Sequence, residues 1–313
     1  MISVVGIGGV GKTTLVKKVY DNKKVVAHFN CRAWITVSQS YKKEDLLRDM
    51  IKQFYKTRKD FVPKEIDKME EINLITELRF FRIFKFVLPN NDKGSGIVIT
   101  TQNEDVAPSH NESSPCYVHK QLPLPSDKAL ELFYKKVFQH EEDNCPHELV
   151  ELSCKIVEKC EGLPLAIVVI GGLLSSKDKV VSEWCKLHDS LSLELDTNLR
   201  LRSIPKILSL SYHALPYYLK ACFLYLGMFP EDYPIVCARL IRLWIAEGFV
   251  KEKQGITLEE LAQGHLNQLI HRSLVQVAKF DEVGKKRFCR VHDMLREVIL
   301  SRSEKLNFCL VSI

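Results

Sequence analysis

The chain has 313 residues, 46% of them hydrophobic and 27% charged, and a formal net charge of +6; this is ordinary globular composition, long enough for two or three packed units. Its ten cysteines include no C-x-x-C pair, which excludes the common zinc spacings and reads as reduced, mostly buried thiols. The longest apolar run, 163–174, contains Pro164 and Gly171-Gly172 and falls short of the ~20 residues of a bilayer span. The start of the chain lacks a basic n-region and a cleavage site, so the expected location is cytoplasmic. Residues 1–60 hold thirteen Lys/Arg against five Asp/Glu, or +8, leaving the remainder near −2. That bias favours an anionic ligand near the start, although scattered lysines on helix faces are more often simply solvated.

The first predicted element is a strand over the β-branched run Ile2 to Val5, followed by Gly6-Ile7-Gly8-Gly9-Val10-Gly11-Lys12-Thr13 and a helical pattern to Tyr20. This fits G-x-x-x-x-G-K-[ST] with the strand and helix that a phosphate-binding loop requires. Gly8, Gly9 and Gly11 let backbone N–H groups surround phosphate oxygens, and the helix N-terminus adds partial positive charge. Lys12 is placed to reach the β/γ-phosphates, and the Thr13 hydroxyl to hold Mg²⁺.

A second strand is predicted over Cys31 to Ser38, then a helix carrying Leu46, Leu47, Met50, Ile51 and Phe54, and a short buried strand at Gly96 to Thr101. Strands and helices in alternation predict a parallel α/β sheet. A P-loop ATPase also needs an acidic residue at the end of a neighbouring strand. The apolar stretch Phe80 to Val87 ends in no Asp pair, and Asp92 falls before the strand at 96–101, the wrong end for a ligand. Residues 88–95 are also too few for a parallel crossover between the two runs.

Leu122-Pro-Leu-Pro-Ser126 closes this zone, with Ser126 and Asp127 as candidate caps for the next helix, and residues 127–198 read as all-helical. Glu161-Gly162-Leu163-Pro164 reads as a helix break followed by a buried helix. Further helices are predicted at 204–211, 216–226, 236–248 and 257–272, then a two-stranded ribbon over 274–280 and 287–291 turning at Gly284. Helices followed by a ribbon suggest a winged helix. Asp293 is a candidate cap of the last helix, and His292 alone reads as a satisfied surface residue.

Taken in order, the stretches GIGGVGKTTL (6–15), FNCRAWITVSQSY (29–41), GSGIVITTQNEDVA (94–107), LPLPSDKALELF (122–133), CEGLPLAIVVIGGLL (160–174), LSYHALPYYLKACFLYLGMFPEDYPI (210–235), LIRLWIAEGFV (240–250) and VHDMLRE (291–297) resemble the NB-ARC module of plant nucleotide-binding leucine-rich-repeat resistance proteins of the coiled-coil type. The resemblance implies an α/β P-loop nucleotide-binding domain (1–122, incomplete) followed by a helical domain (123–198) and a winged-helix domain (199–313). It also implies a switch that ADP keeps closed and ATP opens. Its nucleotide contacts carry over to Gly6, Gly8, Gly9, Val10, Gly11, Lys12, Thr13 and Thr14, with Pro164 on the adenine and His292 on the β-phosphate.

The departures are equally specific. The strand ending in paired Asp is missing, and Gly96 and Gln102 stand where the family usually has Arg. The expectation is therefore a truncated copy with little or no hydrolysis, an open sheet edge and poor solubility. Its partners would be nucleotide and other resistance-protein or signalling chains. The alternative is a nucleotide-free fragment acting by docking alone on full-length receptors. A true ATPase or kinase is disfavoured by the absent acid, and a nucleic-acid partner by the location of the +8 charge outside the wing.

Overall fold

The computed structural model describes residues 1–37, 41–80, 96–103, 117–138, 145–196, 203–231 and 233–308. They form two compact units, one of Met1–Ile7 and Gly11–Gln121, the other of Gly8–Val10 and Leu122–Ile313. Among the described residues, no helix is long and apolar enough to cross a membrane.

In the first unit, β1 (Ile2–Val5) lies between β2 (Val98–Thr101) and β3 (Tyr117–Lys120), and both pairings are parallel, with Val4 opposite Thr100 on one side and His119 on the other. Ser3, Val4 and Val5 are buried, as the central position demands. The strand expected at 96–101 is present from Val98, whereas β3 had no clear sequence signal. Parallel sheets are ordinarily covered on both faces. Here Ile2, Val98 and Val118 are about 40% exposed and Tyr117 is 65% exposed.

The strand expected over Cys31 to Ser38 does not form: residues 31–37 have no regular structure, and Ser38 lies outside the described residues. The physical reason is visible at Trp34. Its N–H donates to Gln53 Oε1 (2.7 Å) and its carbonyl accepts from Gln53 Nε2 (2.8 Å), so a side-chain amide takes the place of a neighbouring strand. Gln53 belongs to α3 (Lys43–Arg58), which follows α1 (Lys12–Tyr20) and α2 (Lys23–His28). Together with α4 (Glu71–Phe80), α3 encloses a small core of Ile51, Phe54, Ile66, Leu74 and Leu78. Phe80 thus ends a helix rather than opening the expected strand, and residues 81–87 and Asp92 lie outside the described residues.

The second unit opens with α5 (Ser126–Val137), α6 (His147–Lys159), α7 (Pro164–Leu174) and α8 (Val181–Asp196). Ser126 and Asp127 do not cap α5; its N-cap is Pro125 and no side chain caps it. Nine of the eleven residues of α7 are buried, which is why this helix is apolar all round rather than amphipathic. Its entry is fixed by two successive left-handed residues, Glu161 (φ 52°) and Gly162 (φ 67°). A Cβ on Gly162 would lie 2.4 Å from the Leu124 carbonyl oxygen, so the turn admits only glycine without rearrangement.

The chain continues through α9 (Ser203–His213), α10 (Tyr217–Tyr225), β4 (Ile235–Val236), α11 (Cys237–Ala246) and α12 (Leu258–His271), the last opened by a Thr257/Glu260 capping box. An antiparallel sheet of order β4-β6-β5, with β5 (Gln276–Phe280) and β6 (Lys286–Arg290), precedes α13 (Asp293–Lys305). Asp281 Oδ1 accepts from the N–H groups of Val283 and Lys285, closing the expected turn at Gly284. One hydrophobic cluster takes in Val10 and residues from Ala129 to Ile299, including Trp184, edge-on to Phe133 at 5.9 Å, and Trp244. Of the eight described cysteines, all free, four are buried (Cys160, Cys222, Cys237 and Cys289) and Cys154 is exposed.

Candidate functional site

The glycine-rich loop joins β1 to α1. Gly9 (φ 73°) and Gly11 (φ 91°) adopt left-handed backbone, so glycine is needed at both for conformational reasons. Gly11 is also the N-cap of α1, with no side-chain cap and no acidic residue in the first turn. The N–H groups that open α1 therefore face neither a capping side chain nor a competing carboxylate, the condition for an anion site.

Lys12, the first residue of α1, is only 8% exposed, and its ammonium donates to the carbonyls of Gly6 (2.7 Å) and Ile7 (2.9 Å). Burial pushes its pKa down. The side chain thus folds back over the loop, a latch that sequence spacing did not reveal. Thr13 and Thr14 are exposed at the start of the helix. Gly11, the uncapped start of α1 and the half-desolvated Lys12 ammonium are the features of the first unit that a phosphate group would use.

The loop tip, Gly8 to Val10, is part of the second unit, and Val10 is buried in its core. The Gly9 carbonyl accepts from Leu165 N (3.2 Å), and a Cβ on Gly9 would stand 3.1 Å from Leu165 Cβ and 3.6 Å from Met294 Sδ. Two helix starts meet the tip. Pro164 is the first residue of α7, immediately before Leu165, and His292 is the N-cap of α13, two residues before Met294. The expected cap, Asp293, instead lies inside the first turn, where burial pushes its carboxyl pKa up, with Glu231 adding to the rise.

The capping bond defines the chemistry of His292. Its Nδ1 accepts from Met294 N (3.3 Å), so in the neutral ring the proton sits on Nε2. The bland reading of His292 as a surface residue is replaced by a half-buried cap. Neither Leu165 nor Met294 stood out from the sequence; both carry ordinary apolar side chains, and only their approach to a glycine marks them.

The hydrolytic half is different. Gln102 is exposed just beyond β2, and Gly96 lies just before it. Among the described residues, no group of three or more His, Cys, Asp and Glu is placed to hold a metal ion.

A family model described as the NB-ARC domain matches residues 1–143, and one described as the disease resistance protein winged helix domain matches 228–299. Disease resistance protein RPM1 of Arabidopsis thaliana is 36% identical across 99% of this chain and 35% of that protein. Disease resistance protein RPP13 of the same plant is 36% identical across 98% of this chain and 38% of its own length. The ToMV resistance protein Tm-2(GCR236) of Solanum lycopersicum is 33% identical, with 98% and 37% covered. The chain therefore spans little more than a third of the length of these relatives. Among solved structures, a Signal Transduction ATPase with Numerous Domains protein from Pyrococcus horikoshii shares the fold, with a TM-score of 0.50 and 19% identity over 95% of this chain and 40% of that one.

Proposed function

The chain belongs to the NB-ARC family and carries the winged-helix domain of disease-resistance proteins, and on that premise we propose that it is an ADP- or ATP-binding switch of plant immune signalling with weak or absent hydrolysis. The observation that carries this reading is the loop tip. Gly9 is held against Leu165 and Met294, which puts the starts of α7 and α13 next to the segment that would receive the phosphates.

In this reading the backbone of Gly6, Gly8, Gly9, Val10 and Gly11 and the first N–H groups of α1, including Thr13 and Thr14, bind the phosphates. Lys12 leaves the Gly6 and Ile7 carbonyls to neutralise them. His292 donates from Nε2 to the β-phosphate, and Pro164 offers an apolar face to the base. The Thr13 hydroxyl would hold Mg²⁺, which would neutralise phosphate charge. The proposed division is 1–122, 123–198 and 199–313, with the contact of His292 making the winged-helix part sensitive to what the loop holds. Other resistance-protein or signalling chains are the proposed partners. Weak hydrolysis follows from the absent Asp pair and from Gln102 and Gly96.

The test is to purify the chain, denature it and identify released nucleotide by chromatography. Near-stoichiometric ADP is expected, and Lys12→Ala should weaken ADP binding at least about 100-fold, equivalent to ~2.7 kcal/mol. An empty protein with no affinity for added ADP would overturn the switch and leave docking as the function. Turnover equal to that of intact relatives, abolished by Lys12→Ala, would overturn the weak-hydrolysis reading alone.

A further inference from the structure

Within the second unit, and lined by none of the phosphate-loop residues, a surface cleft of about 500 Å³ opens where α5, α7, the end of α12 and β6 meet. Its lining includes Lys136, Arg272 and Lys286, with Asn267, Gln268 and Ser176 between them. No carboxylate lines it among the described residues.

The Gly171-Gly172 pair builds this cleft. A Cβ on Gly171 would lie 3.0 Å from Lys136 Cγ, and one on Gly172 would lie 2.7 Å from the backbone carbon and oxygen of Arg272. Side chains at either position would push α5 and the end of α12 away from α7. The glycines thus let two cations approach across one helix. Ser273 (φ 59°) ends α12 in left-handed backbone, and Leu274 N bonds back to Leu269 O (3.0 Å), which sets the backbone at the end of α12 beside Arg272.

The amides are oriented as well. Asn267 Oδ1 accepts from Lys286 Nζ (2.6 Å) and from Gln263 Nε2 (3.3 Å), and Gln268 Oε1 accepts from Tyr218 Oη (3.1 Å). The Asn267 oxygen is engaged twice, so the end it has left to offer a ligand is its NH₂, and the Gln268 oxygen is engaged once, by Tyr218. The cleft is therefore lined by three cationic side chains and by the amide groups of Asn267 and Gln268, while the Ser176 hydroxyl donates to the Leu173 carbonyl (2.8 Å). Burial also pushes the pKa values of Lys136 and Arg272 down, the mark of charges held partly out of water. Arg272 and Lys286 bring two positive charges to one cleft, and a multiply charged anion would answer both while using the amide donors.

We propose that this cleft is a second anion site, selective for a compact polyphosphate and separate from the glycine-rich loop. Occupation would pin α12 and β6 of the winged helix to α5 and α7. Ligand binding there would thus stabilise the second unit.

The experiment is isothermal titration of the full chain with sodium tripolyphosphate, using Lys12→Ala to remove the loop's contribution. Lys12→Ala should still bind one equivalent, and adding Arg272→Gln with Lys286→Gln should weaken that binding at least tenfold. Should the combined variant melt abnormally, Lys286→Gln alone in the Lys12→Ala background must weaken it at least threefold. Absence of binding in folded Lys12→Ala would overturn the proposal, and so would unchanged affinity after the cleft substitutions. The cations would then serve only the carbonyl ends of α5 and α12. Failure of ADP retention at the loop would leave this outcome untouched, so the two sites fail independently.

Discussion

The two units solve the burial problem in opposite ways. The second surrounds α7 with helices until nine of its eleven residues are buried, and one cluster continues from Ala129 to Ile299. The first builds three short parallel strands in which Val4 and Val5 are buried but Ile2, Val98, Tyr117 and Val118 stay exposed, and closes a separate small core between α3 and α4. The difference shows how the two architectures tolerate loss of a neighbour. A helix satisfies its own backbone and needs only an apolar surface to lie on, whereas a strand depends on another strand for its hydrogen bonds. Residues 31–37 demonstrate this: with no strand paired to them among the described residues, they settle against α3, and the Gln53 amide satisfies Trp34.

The largest effect that would break this comparison is at Trp184, fully buried in the second unit. Trp184→Ala should cost about 3–5 kcal/mol. In calorimetry it should lower only the transition of the second unit; a single shifted transition would mean that the two units melt as one. Gly162→Ala comes next. It adds a Cβ 2.4 Å from the Leu124 oxygen at a φ of 67°, and the expected loss is about 2–3 kcal/mol, read as the denaturant midpoint of the same transition.

In the first unit the sensitive probe is Gln53→Ala. It removes both bonds to Trp34 and should destabilise that unit by about 1–2 kcal/mol, seen as faster amide exchange at residues 31–37. No change in exchange there would show that the amide does not substitute for a strand.

The smallest effect concerns pH. Burial and the Glu231 charge hold the folded pKa of Asp293 above its unfolded value, with Arg290 opposing and Glu297 adding slightly. The fold therefore favours the protonated carboxyl: this contribution is present below the unfolded pKa of about 3.9 and is lost as pH rises through the folded value. Asp293→Asn should stabilise the second unit at neutral pH by about 0.5 kcal/mol or less and flatten the acid side of its stability profile. Destabilisation instead would mean that the favourable charge at the start of α13 outweighs burial.

The geometry of the glycine-rich loop was legible. The loop from Gly6 to Thr13 advertises itself because phosphate binding needs glycine and lysine at fixed spacing, and left-handed Gly9 and Gly11 give the reason. The helices of the second unit were legible because helical periodicity and capping are local, as Thr257 with Glu260 shows. The strand expected at Cys31 was misread because β-branched and aromatic composition reports a suitable strand, not the presence of a partner. Tyr117–Lys120 was missed for the converse reason: its four residues include His119 and Lys120, and only pairing with β1 makes them a strand. Ser126 and Asp293 were misplaced as caps by one residue, since Pro125 and His292 take those positions.

By itself, then, the sequence determined the glycine-rich loop between β1 and α1, the strand at 98–101, the helical run after residue 122 and the closing ribbon, all of them encoded within a few residues of one another. Tertiary structure alone decided what faces Gly9, how Lys12 folds back, which helix replaces a strand partner for Trp34, and that Gly171 and Gly172 draw Lys136 and Arg272 to one cleft. Those facts depend on distances between residues far apart in the chain, and local pattern carries no such distances.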